Sequence, residues 1–434
     1  MKIISVVGAR PNFMKIAPFV HAIEAHNQRS EVGGQRSEVG GQRSEVGGQR
    51  SEDGGRRSED GGGDRIEHTL VHTGQHYDER MSKGFFDALN IPRPDIDLEI
   101  GSGSHAEQVG RTMIEFEKVV REHQPDWVIV VGDVNATCAC SITAKKEHVR
   151  LAHIEAGLRS FDLEMPEEIN RMVTDRLSDL LFTTDEIASR NLRSEGVAEE
   201  RIKFVGNIMI DTLEAHRGAA GALDLAEILR SNSGAGIPVW EEGGGRFPPM
   251  ESGDESCRAG ASGRGAGGYA VMTMHRPSNV DRREVLEPVI DFLLTQVCVD
   301  SPLIWPIHPR AEKQLKAFGL WERVVRCENL ILLHPVGYHE MLRLNMGARL
   351  MLTDSGGLQE ECCVLGTPCM TLRWNTERPV TLREHGGASV LVGNAVENLR
   401  REYETTKAAA RAPQRPPLWD GHTAERIVAA LLAM

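Results

Sequence analysis

Four things are missing from this sequence, and each absence narrows what the chain can be. No apolar run approaches the roughly 20 residues needed to span a bilayer, so no membrane association is expected. The opening MKIISVVGARPNF meets an arginine at once and reads as a first β-strand better than as a signal peptide. None of the eight cysteines forms a C-x-x-C pair: one residue separates Cys138 from Cys140, and Cys362 and Cys363 are adjacent. Zinc-type spacing is therefore absent, disulfides are not expected, and buried free thiols in a cytoplasmic protein are the default. Positive charge is in deficit, with a formal net charge of −13. That excludes a protein that coats nucleic acid, although a local basic pocket fits within it. Finally, the loop after the first strand, GARPNFMKIAP, is neither G-x-G-x-x-G nor a Walker A loop. No dinucleotide or ATP site is expected there, and neither a cofactor nor a metal is expected in the chain.

What is present is an ordinary globular composition, 40% apolar and 26% charged over 434 residues, enough for two domains with cores of their own. Residues 28–62 hold QRSEVGG three times, then QRSEDGG and RRSEDGG. Each unit has at most one apolar residue (Val32, Val39, Val46) beside a Gly-Gly pair, so there is no a/d seam and no coiled coil. This stretch, taken to residue 64, reads as a disordered insert between a helix ending near His26 and a strand beginning near Arg65. A second insert, 231–268, is rich in Gly, Pro and Ser and has no periodicity. Neither buries enough surface to offset its ordering entropy.

Between the inserts, short apolar runs alternate with helix-like segments. KIISVVG, HTLVHTG, DWVIVVGD, LAHIEAG, LLFTTD and IKFVGN read as buried strands in the first half; YAVMTMH, LIWPIH, LILLHPV, ARLMLTD, CMTLR and SVLVG do so in the second. Such alternation implies α/β architecture: two doubly wound, Rossmann-like domains with parallel sheets, joined near Gly206 to Asp211. Ligands of such sheets sit beyond the carboxyl ends of the strands, so the residues there are the candidates for chemistry. Arg10 and Lys15 stand at the first strand-to-helix turn, where helix N–H groups favour anions. Asp133 ends DWVIVVGD, as a helix cap or a functional acid. In HIEAGLRSFDLEMPEEINR, Glu155 ends a strand and Glu167 follows Pro166 at a helix start, whereas Asp162, Glu164 and Glu168 read as loop, cap or dipole acids. In TDSGGLQEE, Ser355, Gly356 and Gly357 open a helix on which backbone N–H groups can approach a phosphate, with Glu360 or Glu361 in reach of a ribose diol. RWNTERP adds Arg373 and Arg378, suited to a diphosphate, and MTMHRPSN adds His275 and Arg276. Acids on one domain and anion-binding groups on the other fit a nucleotide sugar held in a cleft, nucleotide on the second domain and sugar facing the first.

Together with HTGQHYD and VVGDVNAT, these motifs, in this order, resemble those of the non-hydrolysing UDP-N-acetylglucosamine 2-epimerases along the whole chain apart from the inserts. The resemblance implies a GT-B-like fold: an N-terminal Rossmann-like domain (1–205), a nucleotide-binding one (206–417), and a C-terminal helix within 418–434 returning to the first domain. It implies reversible C2 epimerisation of UDP-N-acetylglucosamine to UDP-N-acetylmannosamine through 2-acetamidoglucal, supplying ManNAc units for cell-surface polysaccharide. It places Asp133, Glu155 and Glu167 on the catalytic acids and His275 on the essential histidine. Arg10, Lys15, Ser355, Gly356, Gly357, Glu361 and Arg378 fall on substrate-binding positions, and Gln75, His76 and Arg111 on an allosteric site for a second nucleotide sugar. A homodimer is expected. LLHPVGYHEM keeps Tyr338 but departs from some members at Val336 and Met341 beside the base. Alternatives are a hydrolysing epimerase releasing ManNAc and UDP, a 2-epimerase of a UDP-diacetamido-uronic acid, and a GT-B glycosyltransferase, for which no acceptor site is evident.

Overall fold

A computed structural model of the chain describes residues 1–40, 65–74, 90, 93–234 and 268–434, with the side chains of residues 10, 11 and 32–40 outside that description. The chain folds as two compact units: unit 1 is Met1–Gly157, Leu163–Ile208 and His422–Met434, and unit 2 is Leu158–Asp162 with Met209–Gly421.

Unit 1 is built on β1 (Lys2–Val7), β2 (Glu67–His72), β3 (Ile96–Asp97), β4 (Trp127–Val131), β5 (Arg150–Ala156), β6 (Leu180–Thr183) and β7 (Ile202–Phe204). They form one seven-stranded sheet in the order β3-β2-β1-β4-β5-β6-β7, and every pairing is parallel. All five residues of β4, WVIVV, are buried, as a strand covered by helices on both faces requires. Ile4, Val6, Val128, Val130 and Leu151 form a core with Phe116 and Val120 of the helix His105–His123. That helix starts cleanly because Ser104 and Glu107 make a reciprocal capping box.

Unit 2 carries β8 (Tyr269–Thr273), β9 (Leu303–Pro306), β10 (Leu330–Leu333), β11 (Ala348–Thr353), β12 (Cys369–Thr371) and β13 (Ser389–Leu391). Its six-stranded sheet, also parallel throughout, runs β10-β9-β8-β11-β12-β13. Met272, Leu303, Trp305, Leu332 and Leu352 share one large core cluster with residues of the helix Arg283–Phe292. Both doubly wound sheets are those expected from the apolar runs. The addition is β3, which pairs with β2 through only Val71–Ile96 and His72–Asp97 and is too short to announce itself by periodicity.

One boundary differs from expectation. The first helix runs Arg10–Gly40 rather than ending near His26. Asn27, a residue that often ends helices, is engaged elsewhere: its amide donates to Ile66 O at 2.8 Å and accepts from Ile66 N–H at 2.9 Å. The helix is thereby fastened to the approach to β2, and the chain passes into the repeat without a stop signal. Residues 41–64 of the repeat and 235–267 of the Gly-rich stretch lie outside the described residues. At the other end, the helix Thr423–Leu432 packs on Arg10–Gly40 within unit 1, and Arg426 donates to Val205 O at 3.0 Å.

Candidate active site

In each sheet the strand order reverses at one place, β1 beside β4 in unit 1 and β8 beside β11 in unit 2. The crevice outside the carboxyl ends at such a point is where open parallel sheets hold ligands.

In unit 1, Asn12 straps the two strand ends together: it accepts from Ala9 N–H at 3.0 Å and donates to Val131 O at 2.8 Å. Three residues later Lys15, buried, directs its ammonium onto Glu155 Oε2. Glu155 Oε1 is buried without a hydrogen-bond partner among the described residues. Glu155 itself stands at the end of β5 with φ +71°, a left-handed conformation that costs a side-chain-bearing residue energy. Gly132 sits against this cluster at φ +70°, and a Cβ there would lie 3.0 Å from Asn12 Nδ2. A glycine is required on both counts. Asp133, partly exposed, receives Arg171 Nη1 at 2.5 Å, and its carbonyl accepts from Asn170 Nδ2 at 2.9 Å.

The helix Pro166–Leu177 begins with proline at its first position, Glu167 and Glu168 in its first turn, an arrangement that suits both φ and the helix dipole. Glu167 is half-buried. Glu168, expected as a cap or dipole acid, is instead buried and receives Arg171 through Nε at 3.0 Å and Nη2 at 2.5 Å. Arg171 therefore joins Glu168 to Asp133. Arg171 is not among the residues expected from the sequence, although its i,i+3 spacing from Glu168 within EEINR is a signal for the pair.

In unit 2, His275 follows β8 and Asp354 follows β11. Nδ1 of His275 lies 2.7 Å from Asp354 Oδ1, while Asp354 Oδ2 accepts from His275 N–H at 2.9 Å, Arg276 N–H at 2.8 Å and Asn279 Nδ2 at 3.1 Å. Burial works against the charged form, but the His275 ring and these backbone donors hold the Asp354 carboxyl below its usual range. With Nδ1 engaged, Nε2 is the nitrogen that a half-exposed His275 offers to a ligand. Asp354 is likewise absent from the expected residues, and its place at a strand end within TDSGG is the clue to it.

Ser355 is the N-cap residue of the helix Gly356–Leu365 and makes no side-chain cap bond there. A Cβ on Gly356 would come within 2.6 Å of Arg378 Nη1, whereas the side-chain position of Gly357 meets no protein atom closer than 4.0 Å. Gly356 is thus needed by the protein's own packing, and Gly357 leaves open space at a helix N-terminus. Arg378 is buried and engaged by two carboxylates, Nε on Glu360 at 2.7 Å and Nη1 on Glu377. Arg373 Nη2 meets Glu377 at 2.6 Å, and its Nη1 is buried without a hydrogen-bond partner among the described residues. Glu361 is buried; burial first, and then the Glu360 charge, push it up to about 7. Tyr338 packs edge-on to His216, with ring centroids 5.9 Å apart.

The remaining expected residues divide. Arg111 is exposed on the helix His105–His123, 3.8 Å from Glu107. Gln75, His76 and the Arg10 side chain lie outside the described residues; Arg10 is the first residue of its helix. Among the described residues no cluster of His, Cys, Asp and Glu could hold a metal ion, and no helix is long and apolar enough to cross a membrane.

Two Rossmann-like parallel sheets, one presenting carboxylates and the other a histidine and an open helix start, define a GT-B-like protein. The family model of UDP-N-acetylglucosamine 2-epimerase matches residues 62–237 and 251–432, and the chain belongs to that family. The UDP-N-acetylglucosamine 2-epimerase of Methanocaldococcus jannaschii is 36% identical over 429 residues, covering 99% of this chain and 98% of the relative. The crystal structure of that archaeon's enzyme in complex with UDP-GlcNAc and UDP superimposes with a TM-score of 0.77, at 35% identity over 100% of both chains. A Pseudomonas aeruginosa UDP-2,3-diacetamido-2,3-dideoxy-D-glucuronate 2-epimerase is 34% identical over 410 residues, 94% of this chain and 92% of the relative.

Proposed function

We propose that this chain interconverts UDP-N-acetylglucosamine and UDP-N-acetylmannosamine without hydrolysis, by elimination and re-addition of UDP. The observation that carries the reading is Glu155: a buried carboxylate at a strand end, in a left-handed conformation, held through one oxygen by Lys15 and, among the described residues, unpartnered at the other. The C2 proton of an N-acetylhexosamine is not acidic, because no carbonyl adjoins it in the ring. Breaking C1–O sends the electron pair to UDP and builds oxocarbenium character that acidifies C2–H. A carboxylate then takes that proton, and a C1=C2 double bond forms, giving 2-acetamidoglucal and UDP. Protonation of C2 on the opposite face and return of UDP to C1 complete the inversion. Acid and base groups are needed about C2, which Asp133, Glu155 and Glu167 supply from separate elements. Stabilisation of the departing diphosphate falls to His275, Arg10, Arg378 and the Ser355-Gly356-Gly357 helix start. Glu361 is assigned to the ribose diol.

A second reading is favoured by the similarity to the diacetamido-glucuronate 2-epimerase: the same chemistry at C2 on a sugar bearing a second acetamido group at C3 and a carboxylate at C6. The proposal extends to a homodimer in the cytoplasm whose product supplies ManNAc units for cell-surface polysaccharide. Arg111, with Gln75 and His76, is the candidate contact for a second, activating nucleotide sugar.

The test is turnover of UDP-N-acetylglucosamine in D₂O. UDP-N-acetylmannosamine carrying deuterium at C2 is the expected product. Free ManNAc would assign the chain to hydrolysing epimerases, turnover of the diacetamido-uronic substrate alone would select the second reading, and product that keeps its original C2 hydrogen would exclude elimination.

A further inference from the structure

Beneath the acid-bearing turns of unit 1 lies a pair that the proposed reaction does not use. His153, on β5, and Asp175, on the helix Pro166–Leu177, are both fully buried. His153 Nδ1 is 2.6 Å from Asp175 Oδ1, and Nε2 is 2.8 Å from the carbonyl oxygen of Gly132. The second Asp175 oxygen accepts from Gly157 N–H at 3.0 Å.

Donor and acceptor accounting fixes the protons. A carbonyl oxygen only accepts, so Nε2 carries a hydrogen. The 2.6 Å contact then needs one more proton between Nδ1 and the carboxylate, because a bare imine nitrogen and a carboxylate oxygen would repel. Burial of both side chains keeps that proton away from water.

What the pair grips is informative. Gly132 precedes Asp133, and Gly157 lies two residues after Glu155. All three of Gly132, Glu155 and Gly157 have positive φ, at +70°, +71° and +81°. Glu155 is strained in this conformation; the two glycines reach it freely but leave it as freely, so contacts from outside are what fix their turns. Gly132 N–H donates to Ile154 O at 3.2 Å, which adds one direct tie between the two turns. The His153–Asp175 pair adds the other two, one at each turn, from a rigid strand and a rigid helix.

We propose that His153 and Asp175 are positioning residues that set the directions of the Asp133 and Glu155 carboxylates by clamping Gly132 and Gly157. The proposal rests on the reading of those two acids as the reacting groups. It acts through geometry, and this distinguishes the substitutions. Asp175→Asn can keep both hydrogen bonds, its carbonyl accepting from Gly157 N–H and its amide donating to Nδ1 of a neutral imidazole. Asp175→Ala removes both.

The experiment compares the two variants by steady-state kinetics with UDP-N-acetylglucosamine, with active enzyme counted by UDP binding, which draws on unit 2. Asp175→Ala is expected to lose on the order of 100-fold in kcat, the size associated with misplacing reacting groups by about an ångström, with KM and UDP affinity within about threefold of the parent. Asp175→Asn is expected to recover to within about threefold of the parent. A folded Asp175→Ala enzyme with parental kcat overturns the proposal, as does an Asp175→Asn enzyme that is folded, binds UDP and is as slow as the alanine variant. If Asp175→Ala does not fold, Asp175→Asn still decides. Glu155→Gln and Asp133→Asn run alongside: full activity in both would defeat the acid assignment itself, a result separate from either outcome at Asp175.

Discussion

The two switch points share a topology and differ in what they leave over. In unit 1, one lysine meets one oxygen of Glu155, and one arginine is shared by Asp133 and Glu168. In unit 2, arginine and glutamate alternate in a buried chain, Arg373–Glu377–Arg378–Glu360. Among the described residues, Glu155 Oε1 in the first arrangement and Arg373 Nη1 in the second are buried without a hydrogen-bond partner. An unmet buried polar atom is unfavourable in a fold, and a ligand or an ordered water is what can satisfy it. Under the proposed function these two atoms face different tasks, Glu155 proton transfer and Arg373 the neighbourhood of an anion.

Breaking the unit 1 side should have the largest effect. Glu155→Gln keeps shape and removes basicity, and kcat should fall on the order of 10³-fold with deuterium entry at C2 slowed in parallel; a variant that exchanges C2–H at the parental rate would remove Glu155 from the chemistry. On the unit 2 side, Arg378→Ala removes the cation that Glu360 and Glu377 share and leaves Glu377 with Arg373 alone. A loss of about 3–5 kcal/mol in urea unfolding is expected, beyond any rise in KM, and unchanged stability would mean that the alternating chain is not structural.

A pH experiment sharpens the comparison. Glu361 is raised from 4.5 to about 7 in the folded chain, so the native state binds its proton more tightly than the unfolded state. Its contribution is full below about 4.5 and is lost as pH rises through about 7. Between pH 5 and 8 the parent should lose roughly 3 kcal/mol from this group, and Glu361→Gln should remove that dependence; identical pH–stability curves for the two would contradict it. The smallest effect is expected far from both switch points. Replacing residues 41–64 with a Gly/Ser linker, while keeping Asn27 and its bonds to Ile66, should leave kcat within about twofold of the parent. Loss of most activity would give the repeat a role that its composition does not suggest.

Much of the architecture is legible along the chain. Fully buried parallel strands must be continuous apolar runs, and each of the twelve predicted from such runs is present. Ligands of a doubly wound sheet sit beyond its strand ends, so position marks Asp133, Glu155, His275 and Ser355 as candidates. Tertiary structure decided which charges meet. Lys15 and Glu155 are 140 residues apart in the chain, and Arg171 and Asp133 are 38 apart. No local pattern pairs them, because ion pairing depends on where a strand order brings the turns together. The same reason hid Asp354 behind His275 and His153 beneath Gly132, and it set Arg378 of RWNTERP against two buried glutamates. Apolar burial follows period and length, which are written along the chain; the direction of a carboxylate depends on neighbours that only the folded sheet supplies.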